Sequence, residues 1–218
     1  MSKSGPDGAS GKAPSGSKRS MSVVIAGLLA VVVVLGAMIV GVLVTEGGSS
    51  PAGSADAVPI GGPFHLEDQN GRAVDQHILD GQWSAVFFGY TYCPDTCPAT
   101  LQALGAAERQ MGDAKPFQVI FITVDPARDT PAQMKLYLQS QDFPAHAVGL
   151  TGSPAQIAQV AKAYGVYYAK SGAGADYTMD HSAAVYLMNP SGKFTRPLSH
   201  DMTPSLITQQ IRAAQQGG

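Results

Sequence analysis

The sequence predicts an α/β layer domain with a central sheet, preceded by a long apolar segment. Three observations lead to this expectation. Short apolar runs typical of buried strands alternate with amphipathic helical patterns along residues 58–218. The helical patterns share one start signal, a residue able to cap the helix followed by proline. A run of 22 residues at positions 23–44 contains no charged or hydroxyl side chain.

Composition and charge exclude several classes of protein. The chain has 218 residues, of which 14% are charged, and a formal net charge of −2. Such a balance argues against a strongly basic nucleic-acid-binding protein and against an acidic disordered chain. The chain has two cysteines, too few for a zinc ribbon or a disulfide-rich scaffold. They can form one disulfide, one redox pair or part of a metal site.

The first 57 residues predict a tail, a membrane anchor and a linker. Residues 1–22 are rich in Gly, Ser, Pro and Lys, which predicts a disordered cytoplasmic tail. Residues 23–44 are long enough to span a bilayer and longer than the apolar part of a cleavable signal peptide. Residues 45–57 predict a flexible linker. Basic residues precede the anchor, so we expect a single-pass inner (cytoplasmic) membrane protein with residues 58–218 in the periplasm.

The elements predicted within residues 58–218 alternate between strand and helix. The dipeptide Asn70-Gly71 predicts a hairpin over 64–74, and a long loop is expected at 167–180. Strands are predicted at 85–90, 117–124, 147–150, 183–188 and 193–196, and helices after Cys97-Pro98, Thr130-Pro131, Ser153-Pro154 and Thr203-Pro204. The last strand, hairpin and helix match the second half of a thioredoxin-type fold. We therefore predict a thioredoxin-like domain with an N-terminal hairpin and a long loop insertion.

The two cysteines lie where a predicted strand passes into a predicted helix. If Pro98 is the first helical residue, Cys97 lies near the N-cap, where the helix dipole favours a thiolate. Three residues separate Cys93 from Cys97, so the two sulfurs can approach each other. A disulfide across so short a loop contributes little stability. The spacing therefore favours a functional pair, either redox-active or metal-binding, without separating the two.

One of the five histidines, His181, directly precedes the apolar run 183–188. In a thioredoxin-type arrangement, the strand formed by that run starts beside the cysteine turn. Redox proteins of this fold normally have a proline at this point, and here the sequence is Met179-Asp180-His181-Ser182. An imidazole is therefore expected to face Cys93 and Cys97. Two thiolates and one imidazole suit copper, and zinc accepts the same set with a fourth ligand.

The motifs FFGYTYCPDTCP, FITVDPARDTP, LTGSPAQIAQVAKAYGVYYAK and DYTMDHSAAVYLMNPSGKF, in this order, resemble the Sco/SenC family. The resemblance covers the whole predicted outer domain. It implies a thioredoxin-like fold and a copper protein that helps to assemble the copper A centre of cytochrome c oxidase. The copper ligands of the family correspond to Cys93, Cys97 and His181. Two further acids are candidates for tuning or transfer: Asp95 between the cysteines, and Asp125 in the DPARDT motif.

The resemblance implies a membrane-anchored metallochaperone that binds one copper ion and delivers it to the copper A-bearing subunit of the oxidase. Oxidation to a Cys93–Cys97 disulfide would abolish binding. One alternative is a thiol-disulfide oxidoreductase that reduces the cysteines of that subunit, and another is a copper-responsive redox sensor. Another periplasmic copper donor or a thiol reductant is a further expected partner, and nucleic acid is not expected.

Overall fold

The computed structural model describes residues 59–112 and 116–217. After an initial hairpin, strands and α-helices alternate until four consecutive strands precede the last helix. The strands are β1 (His65–Asp68), β2 (Ala73–Asp75), β3 (Trp83–Gly89), β4 (Phe117–Thr123), β5 (Val148–Thr151), β6 (Tyr168–Ser171), β7 (Thr178–His181), β8 (Val185–Met188) and β9 (Phe194–Leu198). The α-helices are α1 (Thr96–Met111), α2 (Pro131–Leu138), α3 (Pro154–Ala163) and α4 (Pro204–Gly217). A short 3₁₀ helix at Gln76–Leu79 follows β2.

Seven of these strands form one mixed sheet in the order β2-β1-β5-β4-β3-β8-β9. Strand β4 pairs in parallel with β3 and with β5, whereas β8 pairs antiparallel with β3. The carboxyl ends of β3 and β4 therefore meet the amino end of β8 at one edge of the sheet. Strands β6 and β7 form a separate antiparallel hairpin that ends just before β8.

The core lies on both faces of the central strands. Every residue of β4 is buried, as is every residue of β3 after Trp83. Such strands read as continuous apolar runs because helices cover both faces of the sheet. Helix α1 packs against α4, and helix α2 packs against β5. The core fixes β3 and β4, and with them the loops that leave their carboxyl ends.

Most of the predicted elements are confirmed. The hairpin around Asn70-Gly71 forms as β1 and β2, and the Thr130 and Ser153 side chains cap α2 and α3, each ahead of a proline. Helix α1 starts earlier than predicted, at Thr96, which places Cys97 within its first turn. The prediction of a loop over 167–180 is wrong, because half of this segment pairs as β6 and β7.

The predicted anchor at 23–44 lies outside the described residues. Within residues 59–112 and 116–217, the structure contains no helix that is both long and apolar enough to cross a membrane.

Candidate metal centre

The two cysteines occupy different environments at the end of β3. Cys93 lies in the loop and is half-buried, whereas Cys97 is fully buried in the first turn of α1. The backbone N–H of Cys97 donates to the sulfur of Cys93 at 3.4 Å. Within the part of the chain that the structure describes, neither cysteine forms a disulfide. The two thiols are therefore available to a metal or to a redox partner.

The pair retains one proton between its two sulfurs. Hydrogen bonds from the Cys97 thiol and from two backbone N–H groups lower the pKa of Cys93 well below its usual value, as does His181 when its ring is protonated, although burial opposes them. The contact with Cys93 and the burial of its own sulfur raise the pKa of Cys97. The expectation that the helix start favours a thiolate at Cys97 is therefore wrong. The thiolate is on Cys93, which receives the N–H groups at the start of the helix.

His181 is the last residue of β7, on the separate hairpin. Its Nδ1 lies 3.0 Å from the carbonyl oxygen of Ser182. A carbonyl only accepts hydrogen bonds, so Nδ1 carries a proton and the neutral ring presents the lone pair of Nε2. That Nε2 lies 3.6 Å from the sulfur of Cys97. The Tyr90 ring is perpendicular to the imidazole, with ring centroids 5.8 Å apart.

The fold brings Cys93, Cys97 and His181 together, as predicted, although His181 reaches them from a hairpin that was not expected. One potential ligand atom from each residue lies within 4.8 Å of the other two. Two sulfurs and one neutral imidazole nitrogen form a soft donor set that suits Cu(I), and imidazole also suits Cu(II). A metal ion held by these three residues alone would keep an open coordination position for an incoming ligand.

Two residues that the sequence analysis missed, Asp129 and Gly89, contact the cysteine loop or the start of α1. Asp129 is fully buried, and its carboxylate accepts hydrogen bonds from the Thr91 N–H at 3.0 Å and from the hydroxyls of Thr91 and Thr123 at 2.6 Å. A Cβ at Gly89 would lie 2.6 Å from the Cys97 sulfur and 2.7 Å from the Phe121 ring. The absence of a side chain at this strand end therefore makes room for the sulfur of Cys97.

The two candidate acids have different surroundings. The Asp95 side chain is exposed, and it is the backbone N–H of Asp95 that donates to Cys93. Asp125 is buried, and its two oxygens bind Nε of Arg128 at 2.5 Å and the hydroxyl of Tyr177 at 2.7 Å. The sequence signal for Arg128 was its place in the DPARDT motif, which drew attention to Asp125 alone.

Comparison with known proteins identifies the family. The SCO1/SenC family model matches residues 52–216, about three quarters of the chain. The chain belongs to the SCO1/SenC family. The mitochondrial SCO2 homolog of Bos taurus is 44% identical over 156 residues, which make up 69% of this chain and 58% of that protein. The chain thus matches little more than half the length of this relative.

Solved structures of the family share the fold. The structure of Bradyrhizobium japonicum ScoI with copper bound is 47% identical, with a TM-score of 0.65, over 71% of this chain and 98% of that one. A disulfide switch was identified in BsSco, a member of the Sco family of cytochrome c oxidase assembly proteins. Its structure covers 73% of this chain and 95% of that one, at 23% identity and a TM-score of 0.57, and supports the fold alone. The thioredoxin-like α/β fold expected from the sequence is thus confirmed.

Proposed function

We propose that this SCO1/SenC protein is a copper metallochaperone that binds one copper ion through Cys93, Cys97 and His181. The convergence of these three donors within 4.8 Å of one another carries the proposal. Its second support is the copper-bound ScoI relative, which is 47% identical and matches over nearly its whole chain. Copper is the cargo in this account, and the open coordination position serves its transfer.

We propose the copper A-bearing subunit of cytochrome c oxidase as the acceptor. The family motifs imply this partner, and BsSco, a relative of the same fold, belongs to a family of cytochrome c oxidase assembly proteins. Transfer proceeds by ligand exchange, in which cysteines of the acceptor replace the donors of this site one at a time. Another copper donor or a thiol reductant is the further partner, since the site must be reloaded and kept reduced.

The proposed location follows from residues 1–57, which lie outside the described residues. We propose that residues 1–22 are a cytoplasmic tail, residues 23–44 a transmembrane anchor and residues 45–57 a linker to the copper-binding domain at 58–218. The anchor then holds the site on the periplasmic face of the inner membrane. Tethering raises the effective concentration of donor and acceptor at one membrane face.

A second function, thiol-disulfide exchange, is favoured by the thiolate on Cys93. A half-buried cysteine with a lowered pKa is the form that attacks a disulfide. In this alternative, Cys93 forms a mixed disulfide with the oxidase subunit and Cys97 resolves it, which leaves the subunit reduced and the Cys93–Cys97 pair oxidised. His181 has no required role in this reaction.

A transfer assay separates the two functions. The full chain, reduced and loaded with copper, is mixed with the reduced apo copper A domain. A mild one-electron oxidant then converts any copper-loaded acceptor to its mixed-valent form, and the copper A absorption is measured. We expect wild type to transfer copper and His181→Ala and Cys97→Ser to lose transfer, with His65→Ala as a control on an exposed histidine. If wild type yields no copper A signal but reduces an oxidised acceptor, and His181→Ala does so equally well, the protein is a thiol-disulfide reductase and the chaperone proposal is wrong.

A further inference from the structure

The guanidinium of Arg128 lies where the β6–β7 hairpin meets the rest of the domain. Its side chain is 17% exposed, and its Nε pairs with Asp125. Its Nη1 donates to the backbone carbonyl of Tyr177 at 3.0 Å and to that of Ala175 at 3.4 Å. One side chain, anchored after β4, therefore holds the connection between β6 and β7 through two backbone hydrogen bonds.

The Tyr177 ring completes this contact. The Arg128 guanidinium lies 3.6 Å from its centroid, and the Lys170 ammonium lies 3.8 Å from it. Two cations so close to one ring must occupy opposite faces, so the ring is sandwiched between them. The Tyr177 hydroxyl donates to the Asp125 oxygen that Arg128 leaves free. Asp125, Arg128 and Tyr177 thus form a closed triangle, which we call the hairpin lock.

The hairpin lock also touches the cysteine side of the site. The Arg128 guanidinium lies 4.7 Å from the ring centroid of Tyr92, which directly precedes Cys93. It lies 5.8 Å from the centroid of Tyr90, the ring that faces the imidazole of His181. A single guanidinium therefore contacts both the loop that carries Cys93 and the hairpin that carries His181.

Apart from Arg128, the hairpin is held by the packing of Tyr168 and Met179 against the core and by a few hydrogen bonds, not by pairing with the main sheet. Strand β6 pairs with β7 in a two-stranded sheet of its own, and an isolated two-stranded hairpin is marginally stable in water. The link to the rest of the domain includes two hydrogen bonds between Tyr167 and Ser182 at its base. Nη2 of Arg128 is buried without a hydrogen-bond partner among the described residues. A buried donor without an acceptor disfavours the closed lock.

We propose that Arg128 is a positioning residue, and that the hairpin lock determines whether His181 reaches the sulfurs. This inference rests on the proposed copper site. With the lock closed, Nε2 of His181 faces Cys97 and the site has three donors. With the lock open, the hairpin withdraws, the bond between copper and Nε2 breaks, and the ion remains on the two sulfurs. No electron moves in this step, and the freed coordination position favours an acceptor ligand.

The first test needs no metal. Hydrogen exchange followed by mass spectrometry on the reduced, copper-free full chain compares wild type with Arg128→Met. We expect amides of residues 168–181 to exchange about tenfold faster in the variant, since their opening becomes easier, while amides of β3 and β4 keep their rates. Arg128→Lys, which keeps a cation near Tyr177 but loses the planar contacts, should fall between the two.

Two further variants make this test decisive. Arg212→Met removes a guanidinium that donates to the carbonyl of Gln110 on the α1–α4 side and should change nothing in the hairpin. Tyr177→Phe removes only the hydroxyl bound to Asp125 and should accelerate exchange of the same amides. It replaces Arg128→Met in the test if that variant does not fold. Unchanged exchange in the hairpin, or equal acceleration in β3 and β4, would overturn the proposal.

The second test uses Cu(II) and imidazole. If opening leaves about a tenth of the molecules closed, the three-donor Cu(II) site of Arg128→Met should have about tenfold lower affinity, because only closed molecules offer all three donors. Free imidazole should restore the wild-type electron paramagnetic resonance spectrum to Arg128→Met and to His181→Ala alike. Failure of this rescue in Arg128→Met alone would contradict a role through His181. If wild type binds no copper, the proposed function fails, while the exchange experiment still decides on the lock.

Discussion

The cysteine loop and the histidine hairpin supply the same proposed site but are held in place very differently. The loop leaves β3, a strand buried within a seven-stranded sheet, and its residue Thr91 is fixed by the buried carboxylate of Asp129. The hairpin pairs only with itself within the described residues and depends on side-chain contacts around Arg128. Of the three proposed donors, Cys97 lies in the core and Cys93 packs against it, whereas His181 lies on the separate β6–β7 hairpin.

This difference suits a protein that must both hold a metal ion and release it. Donors fixed by the core bind without first having to be ordered, which favours affinity. A donor on a weakly docked element can leave at low cost, which favours exchange with an incoming ligand. We therefore expect substitutions beneath the cysteine loop to lower the free energy of global unfolding. Substitutions that weaken the hairpin contacts should instead change only how readily the hairpin opens.

The largest effect is expected beneath the cysteine loop. Asp129→Ala removes the acceptor of three buried hydrogen bonds, two from Thr91 and one from Thr123. Because the donors are left unpaired, we expect a loss on the order of 3 kcal/mol in the free energy of unfolding, measured by urea denaturation. Asp95→Ala, at an exposed carboxylate in the neighbouring loop, is the control. A loss below about 1 kcal/mol for Asp129→Ala would show that the loop does not depend on this carboxylate.

Gly89→Ala tests the close contact between β3 and the Cys97 sulfur. The added methyl group would lie 2.6 Å from that sulfur and 2.7 Å from the Phe121 ring, so one of them must move. We expect about 2 kcal/mol of destabilisation from overpacking, together with weaker copper binding. Gly217→Ala, where a Cβ meets no other described atom within 4 Å, provides a matched control. If Gly89→Ala binds copper with wild-type affinity, copper binding does not require the Cys97 sulfur to lie against Gly89.

The pH dependence of copper binding tests the shared proton of the cysteine pair. Cys93 is already a thiolate, so binding of Cu(I) at pH 7 should release about one proton from the pair, which is a tenfold change in affinity per pH unit. Burial would lower the pKa of His181, but contacts with Cys93 and Ser182 raise it above 6.5 overall. As the pH falls through that pKa, the imidazolium must also lose its proton, so affinity falls more steeply.

Calorimetry in buffers of different ionisation enthalpy measures this proton release. His181→Ala should abolish the steeper fall of copper affinity at low pH. Release of one proton from the cysteine pair should remain. Release of two protons from the cysteines at pH 7 would show that both are thiols and that the assignment of a thiolate to Cys93 is wrong.

The smallest effect is expected at the outer face of Tyr177. Lys170→Met removes the exposed cation 3.8 Å from the ring and leaves Arg128 in place. We expect hairpin amides to open more readily by about 0.5–1 kcal/mol, as hydrogen exchange reports, with no change in global stability. Lys162→Met, at an exposed lysine on α3, is the control. An effect as large as that of Arg128→Met would show that the Lys170 ammonium stabilises the closed hairpin as much as the Arg128 guanidinium does.

The sequence predicted the core of this domain better than the β6–β7 hairpin. Continuous apolar runs and cap-proline pairs mark buried strands and helix starts because burial and capping act locally. The β6–β7 hairpin has no such signal: its strands are half-exposed, and glycines with positive φ at Gly172 and Gly174 form its turn. Its position depends on Arg128 and Asp125, which are 49 and 52 residues from their partner Tyr177.

The clustering of Cys93, Cys97 and His181 was predicted correctly because each residue has a chemical identity as well as a position. Cys93, Cys97 and His181 are soft or borderline ligands next to predicted strand ends, and the antiparallel pairing of β3 and β8 fixes which ends meet. Which sulfur is ionised could not be predicted in the same way. That depends on whether the helix starts at Thr96 or at Pro98, which changes the cysteine that receives the backbone N–H groups.

X-ray absorption spectroscopy of the reduced full chain loaded with one equivalent of Cu(I) tests the central claim most directly. We expect copper coordinated by two sulfurs and one nitrogen in wild type. In His181→Ala, the nitrogen should be lost and both sulfurs kept. In Cys93→Ser and Cys97→Ser, one sulfur should be lost. A wild-type chain that retains no Cu(I), or a coordination shell that is the same in all three variants and wild type, would contradict the proposed site.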